Sequence, residues 1–343
     1  RLTPGNPTLL VPLGQLYVQL QDWPRADTVA RDLESLQDPT LVNDIAAIRA
    51  AILNGQQKTD DALSYLQTLA SGEGAQLDAK IAVLRNHMEN GRIAEALAYS
   101  ALLAEQNPDN LDLKYIHAAV QATAGDQVAA EAGYRGVLEK DPARAAVWMA
   151  LFRSVYSDPA RRAEAAEIVD QAIQAVPESG ELRWAKAGLL EASGDIDGAI
   201  AVYEALYTEN SANPIVANNL SSLLSNYRSD PDSLKRAEVI ARRLRGSNIP
   251  PYQDTYGWIA YLNGDFTSAV AELKKAAEGL PQDPMVRYHF GMALAATGQT
   301  EEAIKQFESA LALIPAGDSR DFANSARTEL EKLKAAAGAP KSP

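Results

Sequence analysis

Alanine recurs through this chain at a nearly fixed interval. It stands at Ala26, Ala62, Ala96, Ala130, Ala165, Ala199, Ala237, Ala269 and Ala303, with spacings of 36, 34, 34, 35, 34, 38, 32 and 34. A unit of this length is too short to bury a core of its own and must stack on its neighbours, so the period narrows the fold more than any other feature. Alanine is common here, and the interval needs other positions in phase. Glycine stands five residues earlier at Gly91, Gly125, Gly194, Gly264 and Gly298. Seven residues later stands an apolar residue every time: Leu33, Leu69, Leu103, Val137, Ala172, Leu206, Leu244, Ala276 and Ala310. Twelve later stand Pro108, Pro142, Pro177, Pro281 and Pro315, with Pro39 and Pro250 one place late. Twelve earlier stand the small residues Gly14, Ala50, Ala118, Ala187, Gly257 and Gly291.

Apolar steps of three and four make each half-unit an amphipathic helix. The glycine falls just past the first helix, where a left-handed residue ends it without a Cβ penalty. The proline ends the second helix and opens the next unit. The small residues and the alanine let two helix axes approach.

This pattern resembles the tetratricopeptide repeat, a helix–turn–helix unit of 34 residues. The resemblance covers residues 7–315 in about nine repeats and implies an all-α chain, an α-α superhelix (TPR solenoid). Residues 1–318 are expected to form the solenoid, 319–337 a capping helix and 338–343 a flexible tail. Asp318 or Ser319 can cap that helix, and Phe322, Ala326, Leu330 and Leu333 give it one apolar stripe. The second repeat has Gly55 two places early, and the fifth uses Ser157-Asp158-Pro159 at its turn. The seventh carries about four extra residues around Asn226–Ser233 and ends in Gly246-Ser247-Asn248-Ile249-Pro250-Pro251. Either loop length has drifted there, or the helix-pair geometry changes and a sub-boundary lies near 246–251.

The runs Asp254-Thr255-Tyr256-Gly257-Trp258-Ile259-Ala260-Tyr261 and Arg287-Tyr288-His289-Phe290-Gly291-Met292-Ala293-Leu294-Ala295 are more specific. They resemble the closing repeats of bacterial tetratricopeptide proteins from exopolysaccharide and exosortase-type loci. That resemblance implies a bacterial protein of the periplasm or cell envelope rather than the cytoplasm. The chain begins at Arg1, which fits a processed form or a fragment. No transmembrane segment is expected, since the apolar stretch Leu9–Leu20 is short and carries Pro12 and Gly14.

The 343 residues carry 32 Lys and Arg against 45 Asp and Glu, a net charge of −13 that argues against a phosphate-backbone binder, so no nucleic-acid partner is expected. Cysteine is absent, which removes disulfides and thiolate chemistry. His87, His117 and His289 form no ligand pair and read as packing residues. Gly72-Glu73-Gly74 lacks the rest of a phosphate-binding motif and reads as a linker. Glu301-Glu302 complement a helix dipole. Asn219-Leu220-Ser221 falls mid-helix and is discounted as a glycosylation site. No catalytic residue, cofactor or metal is therefore expected, and the chain is not read as an enzyme. One basic cluster stands out: Arg228, Lys235, Arg236, Arg242, Arg243 and Arg245 against Asp230, Asp232 and Glu238. It is either a solvated helix face with local ion pairs or a docking patch for an anionic segment.

In the family, first helices line a concave groove. The groove positions here would be Arg85, Met88, Tyr115, Met149, Arg153, Tyr156, Trp184, Asn218, Asp254, Trp258, Tyr261, Tyr288 and Met292. Aromatic and methionine side chains at positions the core does not require suit a bound peptide. The clamp some family members use for acidic C-termini is not assembled, because Pro251 and Thr255 stand where cations would be needed after Asn218 and Asn219. The expected function is a protein–protein interaction scaffold that holds a protein or peptide in this groove. The alternative is the repeat portion of a larger enzyme or secretion protein.

Overall fold

The computed structural model describes residues 6–71 and 77–338, and every repeat in them folds as two helices. The run Gly72-Glu73-Gly74 and positions 339–343 of the expected tail lie outside the described residues. Contacts divide the chain into two compact units, Arg1–Ile168 and Val169–Pro343. The first holds α1 (Pro7–Gln19), α2 (Trp23–Ser35), α3 (Val42–Gly55), α4 (Thr59–Ser71), α5 (Leu77–Glu89), α6 (Ile93–Gln106), α7 (Leu111–Thr123), α8 (Gln127–Lys140) and α9 (Ala145–Tyr156). The division falls inside α10 (Arg162–Ala175). The second unit holds α11 (Gly180–Ser193), α12 (Ile196–Glu209), α13 (Pro214–Tyr227), α14 (Pro231–Ala241), α15 (Pro250–Leu262), α16 (Phe266–Gly279), α17 (Pro284–Ala296), α18 (Thr300–Ala312) and α19 (Asp321–Gly338). Among the described residues there is no strand, and no helix is long and apolar enough to cross a membrane.

The periodic columns are the packing. All nine alanines are 0% exposed. A Cβ added at Gly14 would lie 2.7 Å from Ile48, at Gly257 2.7 Å from Leu273, and at Gly291 2.7 Å from Phe307, so the small column sits where helices touch. Several helices start on side-chain caps: Asp22, Asn110, Asp126, Asp195, Asp265 and Asp283 each accept a backbone N–H of the first turn, whereas α3, α6, α9, α15 and α18 have no such bond.

All five mid-repeat glycines are left-handed, with φ between 69° and 89°. In the first two repeats the same position is held by Gln21 (φ 56°) and Gln57 (φ 62°). Gly55 is thus not the turn residue of the second repeat. It is the last residue of α3, and its missing side chain makes room for Trp23, whose ring a Cβ would run into. A non-glycine residue costs about 1–2 kcal/mol in the left-handed region, partly offset by glycine's larger entropy loss. Gln21→Gly and Gln57→Gly should each stabilise by about 0.5–1 kcal/mol. Urea midpoints that fall in both variants would contradict this.

In the seventh repeat the second helix is displaced. The α-helical part of α14 ends four residues after Ala237, whereas α12 ends ten after Ala199 and α16 ten after Ala269. A 3₁₀ turn, Arg242–Leu244, follows, and Gly246 is left-handed (φ 74°). In the fifth repeat another 3₁₀ turn, Pro159–Arg161, is capped by Asp158. At the C-terminus Phe322, Ala323 and Ala326 of α19 are buried, and Leu330 and Leu333 pack on the same cluster. Glu331, Lys332 and Lys334 of α19 face solvent, as a helix that ends a stack requires.

Candidate functional site

The structure sorts the expected groove residues by burial. In the first unit Arg85 and Arg153 are exposed, and Met88, Tyr115 and Tyr156 are half-buried. Met88 packs with Leu97, Tyr99 and Ile116 on Leu84, Ala96 and Val120. The Tyr115 ring lies 5.9 Å from Tyr134 of α8. The Tyr156 ring lies 5.2 Å from Phe152, with the Arg162 guanidinium 5.4 Å above it. Each ring is steadied by a neighbour while part of its surface stays open. Met149 is different. It is 4% exposed and belongs to the core, so the premise that its position is free of core duty is corrected.

In the second unit Trp184 of α11 is 44% exposed, the one tryptophan among the described residues left open. Asn218 of α13 ends a polar chain. Its amide donates to Asn219 (3.3 Å), Asn219 donates to the Tyr203 hydroxyl (3.0 Å), and that hydroxyl donates to Glu191 (2.8 Å). Burial raises the Glu191 carboxyl, and burial together with the Glu191 bond raises the Tyr203 phenol. The Asn218 Oδ1 has no protein partner.

Asp254 of α15 accepts from His289 Nδ1 of α17 at 3.0 Å. His289 is 1% exposed, and the Trp258 ring stacks on it at 4.1 Å. Tyr261 also stacks on Trp258, at 4.9 Å. Tyr288 packs 5.9 Å from Phe322 of α19. Met292 and Tyr261 sit half-buried on the same cluster. Trp258 (7% exposed) and Tyr288 (8%) are thus core residues, a second correction to the premise of free positions. The reason is local: α17 supplies His289 as a stacking surface and α19 covers Tyr288. Only the sequence of the capping helix could have signalled this, through Phe322.

The histidines have structural surroundings. Burial lowers His87, and burial lowers His117, whose Nδ1 lies 2.9 Å from the Ser100 hydroxyl. Among the described residues no three His, Asp or Glu side chains converge as a metal site would require. The basic cluster is largely tied down. Arg228 pairs with Asp197, Arg236 with Glu204 (2.8 Å) and Arg242 with Glu238 (2.9 Å). Arg243 donates to the Tyr207 hydroxyl (3.0 Å). Lys235 and Arg245 make no ion pair among the described residues.

Two tetratricopeptide-repeat family models match this chain, one over residues 159–214 and the other over residues 260–320. Of solved structures, the Cut9–Hcn1 hetero-tetramer of APC/C is similar at a TM-score of 0.53 and 14% identity over 90% of this chain. This chain spans 58% of that one, and at such identity the likeness concerns the fold. Pseudomonas aeruginosa pilF aligns at a TM-score of 0.49 and 20% identity, over 60% of this chain and 91% of its own. A thermophilic TPR protein of Thermus thermophilus aligns at 0.41 and 18%, over 56% of this chain and 100% of its own. No curated protein matches the sequence.

Proposed function

We infer the role of this chain from what it is, a tetratricopeptide-repeat protein, whose fold generally serves as a non-catalytic scaffold for protein–protein interaction. The finer reading is that a polypeptide partner lies along the first-helix face of a unit. In the second unit Trp184, Asn218 and Asp254 stand at one register of successive first helices, with Tyr261 about two turns further along α15. In the first unit the corresponding offer is Arg85, Met88, Tyr115, Arg153 and Tyr156. Mixed aromatic and polar groups favour a peptide with both apolar and hydrogen-bonding side chains over a phosphate backbone.

The observation that carries this reading is Trp184. An indole 44% exposed on a first helix is larger than the stack requires. Tryptophan is over-represented among residues that dominate binding energy. Peptides selected on the wild-type chain should bind the Trp184→Ala variant more weakly by about 2 kcal/mol or more. Wild-type affinity in both Trp184→Ala and Tyr156→Ala would remove the first-helix face from the reading. The setting we propose, an exported protein of exopolysaccharide assembly, rests on the closing-repeat resemblance. Fractionation that finds the chain only in the cytosol contradicts it.

A further inference from the structure

The seventh repeat carries a second feature that the first-helix face does not use. Beside the shortened α14 and its 3₁₀ turn, a cleft of about 750 Å³ opens against α15. Its walls include Ile259 (4% exposed) and Ala241 (1% exposed), with the half-buried Tyr256 alongside. Arg242 and Arg245 stand on the α14 side, both exposed. Two carboxylates also line the cleft, and each is already engaged. Glu238 accepts from Arg242 at 2.9 Å, and Asp265 accepts the Ser268 backbone N–H at 3.1 Å as the cap of α16. The Arg245 guanidinium has no such partner among the described residues, and Arg242 has one. Lys235 and Arg243 add positive charge on the same helix and turn.

We propose that this cleft docks an acidic segment of a partner polypeptide, with carboxylates on Arg245 and Arg242 and an apolar side chain against Tyr256 and Ile259. Guanidinium groups bind carboxylates through paired, charge-assisted hydrogen bonds, and such pairs strengthen beside apolar walls that exclude water. A polypeptide fits better than nucleic acid. The chain carries a net −13, and Asp230, Asp232 and Glu204 flank the cluster, so no continuous basic track exists for successive phosphates. The cleft belongs to repeat seven because its second helix ends early, where its neighbours continue for more than a turn. This inference does not rest on the first-helix reading and stands or falls separately.

The test uses the full chain and a short fluorescent peptide of alternating Glu and Phe, read by anisotropy at low and physiological salt. Saturable binding is expected, weakened by salt. Arg242→Glu with Arg245→Glu should weaken it at least about tenfold, and Tyr256→Ala should weaken it as well. Lys274→Glu with Lys275→Glu makes the same charge change on the exposed face of α16 and should leave binding unchanged. The proposal is overturned by absence of saturable binding, by equal binding of a Gln–Phe peptide, or by equal loss in the Lys274 and Lys275 variant. A single-stranded oligonucleotide bound more tightly through Arg242 and Arg245 would overturn it too.

Discussion

Phe307→Ala should lower stability by about 3–5 kcal/mol, the largest effect expected of any single substitution here. The ring is 0% exposed and occupies the space left by Gly291, where a Cβ would meet its edge at 2.7 Å. Tyr288 lies 6.2 Å from it, and the cluster around both extends to α19. Removing the ring leaves a cavity that rigid helices cannot close. The same geometry gives a sharper expectation for the pair. Gly291→Ala destabilises the wild type, because its methyl group runs into the ring. In the Phe307→Ala background that methyl enters the cavity, and the sign of its effect should become neutral or stabilising. Denaturant titrations of the four proteins measure this coupling. An equal penalty for Gly291→Ala in both backgrounds would show that ring and glycine do not share the space.

The second large effect concerns the alanine column. Ala199→Leu and Ala303→Leu should each destabilise by about 1–3 kcal/mol, since both positions are fully enclosed between helices and cannot take a larger side chain without moving them. Ala201 is the control. It lies on α12 close to Ala199 but faces solvent, so Ala201→Leu should change stability by no more than about 0.5 kcal/mol. Three equal midpoints would mean that the contact between paired helices lies elsewhere.

The helical stack was legible because its constraints are local and repeat. The periodic alanine, the glycine before it and the proline after it each mark one contact or one turn. The same signals show why the exceptions were missed. Gln21 and Gln57 adopt the glycine conformation without being glycine, because the chain closes the turn with the same backbone hydrogen bonds, Asp22 N to Tyr17 O and Lys58 N to Leu53 O. A residue-type column cannot see that. The sequence marked candidate positions on first helices but not their individual environments. Treating all first helices alike placed Met149, Trp258 and Tyr288 on an open surface. In the structure Trp258 is enclosed by Tyr261 and His289, and Tyr288 by Phe307 and Phe322. His289, Phe307 and Phe322 each come from a different helix than the residue they cover, outside any single helix pattern. Trp184, by contrast, remained open. The Asp254–His289 bond was also beyond reach, since nothing in either helix alone points to the other.

The peptide partner proposed for Trp184 and Tyr156 should meet the first-helix face, whatever is held in the cleft beside α14. A photo-crosslinking residue placed at Trp184 or Tyr156 in the native host tests it directly, with the same residue at Val128 of α8 as the comparison. Val128 is 83% exposed on a second helix, so access alone would favour it. Discrete polypeptide adducts are expected from positions 184 and 156 and none from 128. Adducts from 128 with none from 184 and 156 would contradict it.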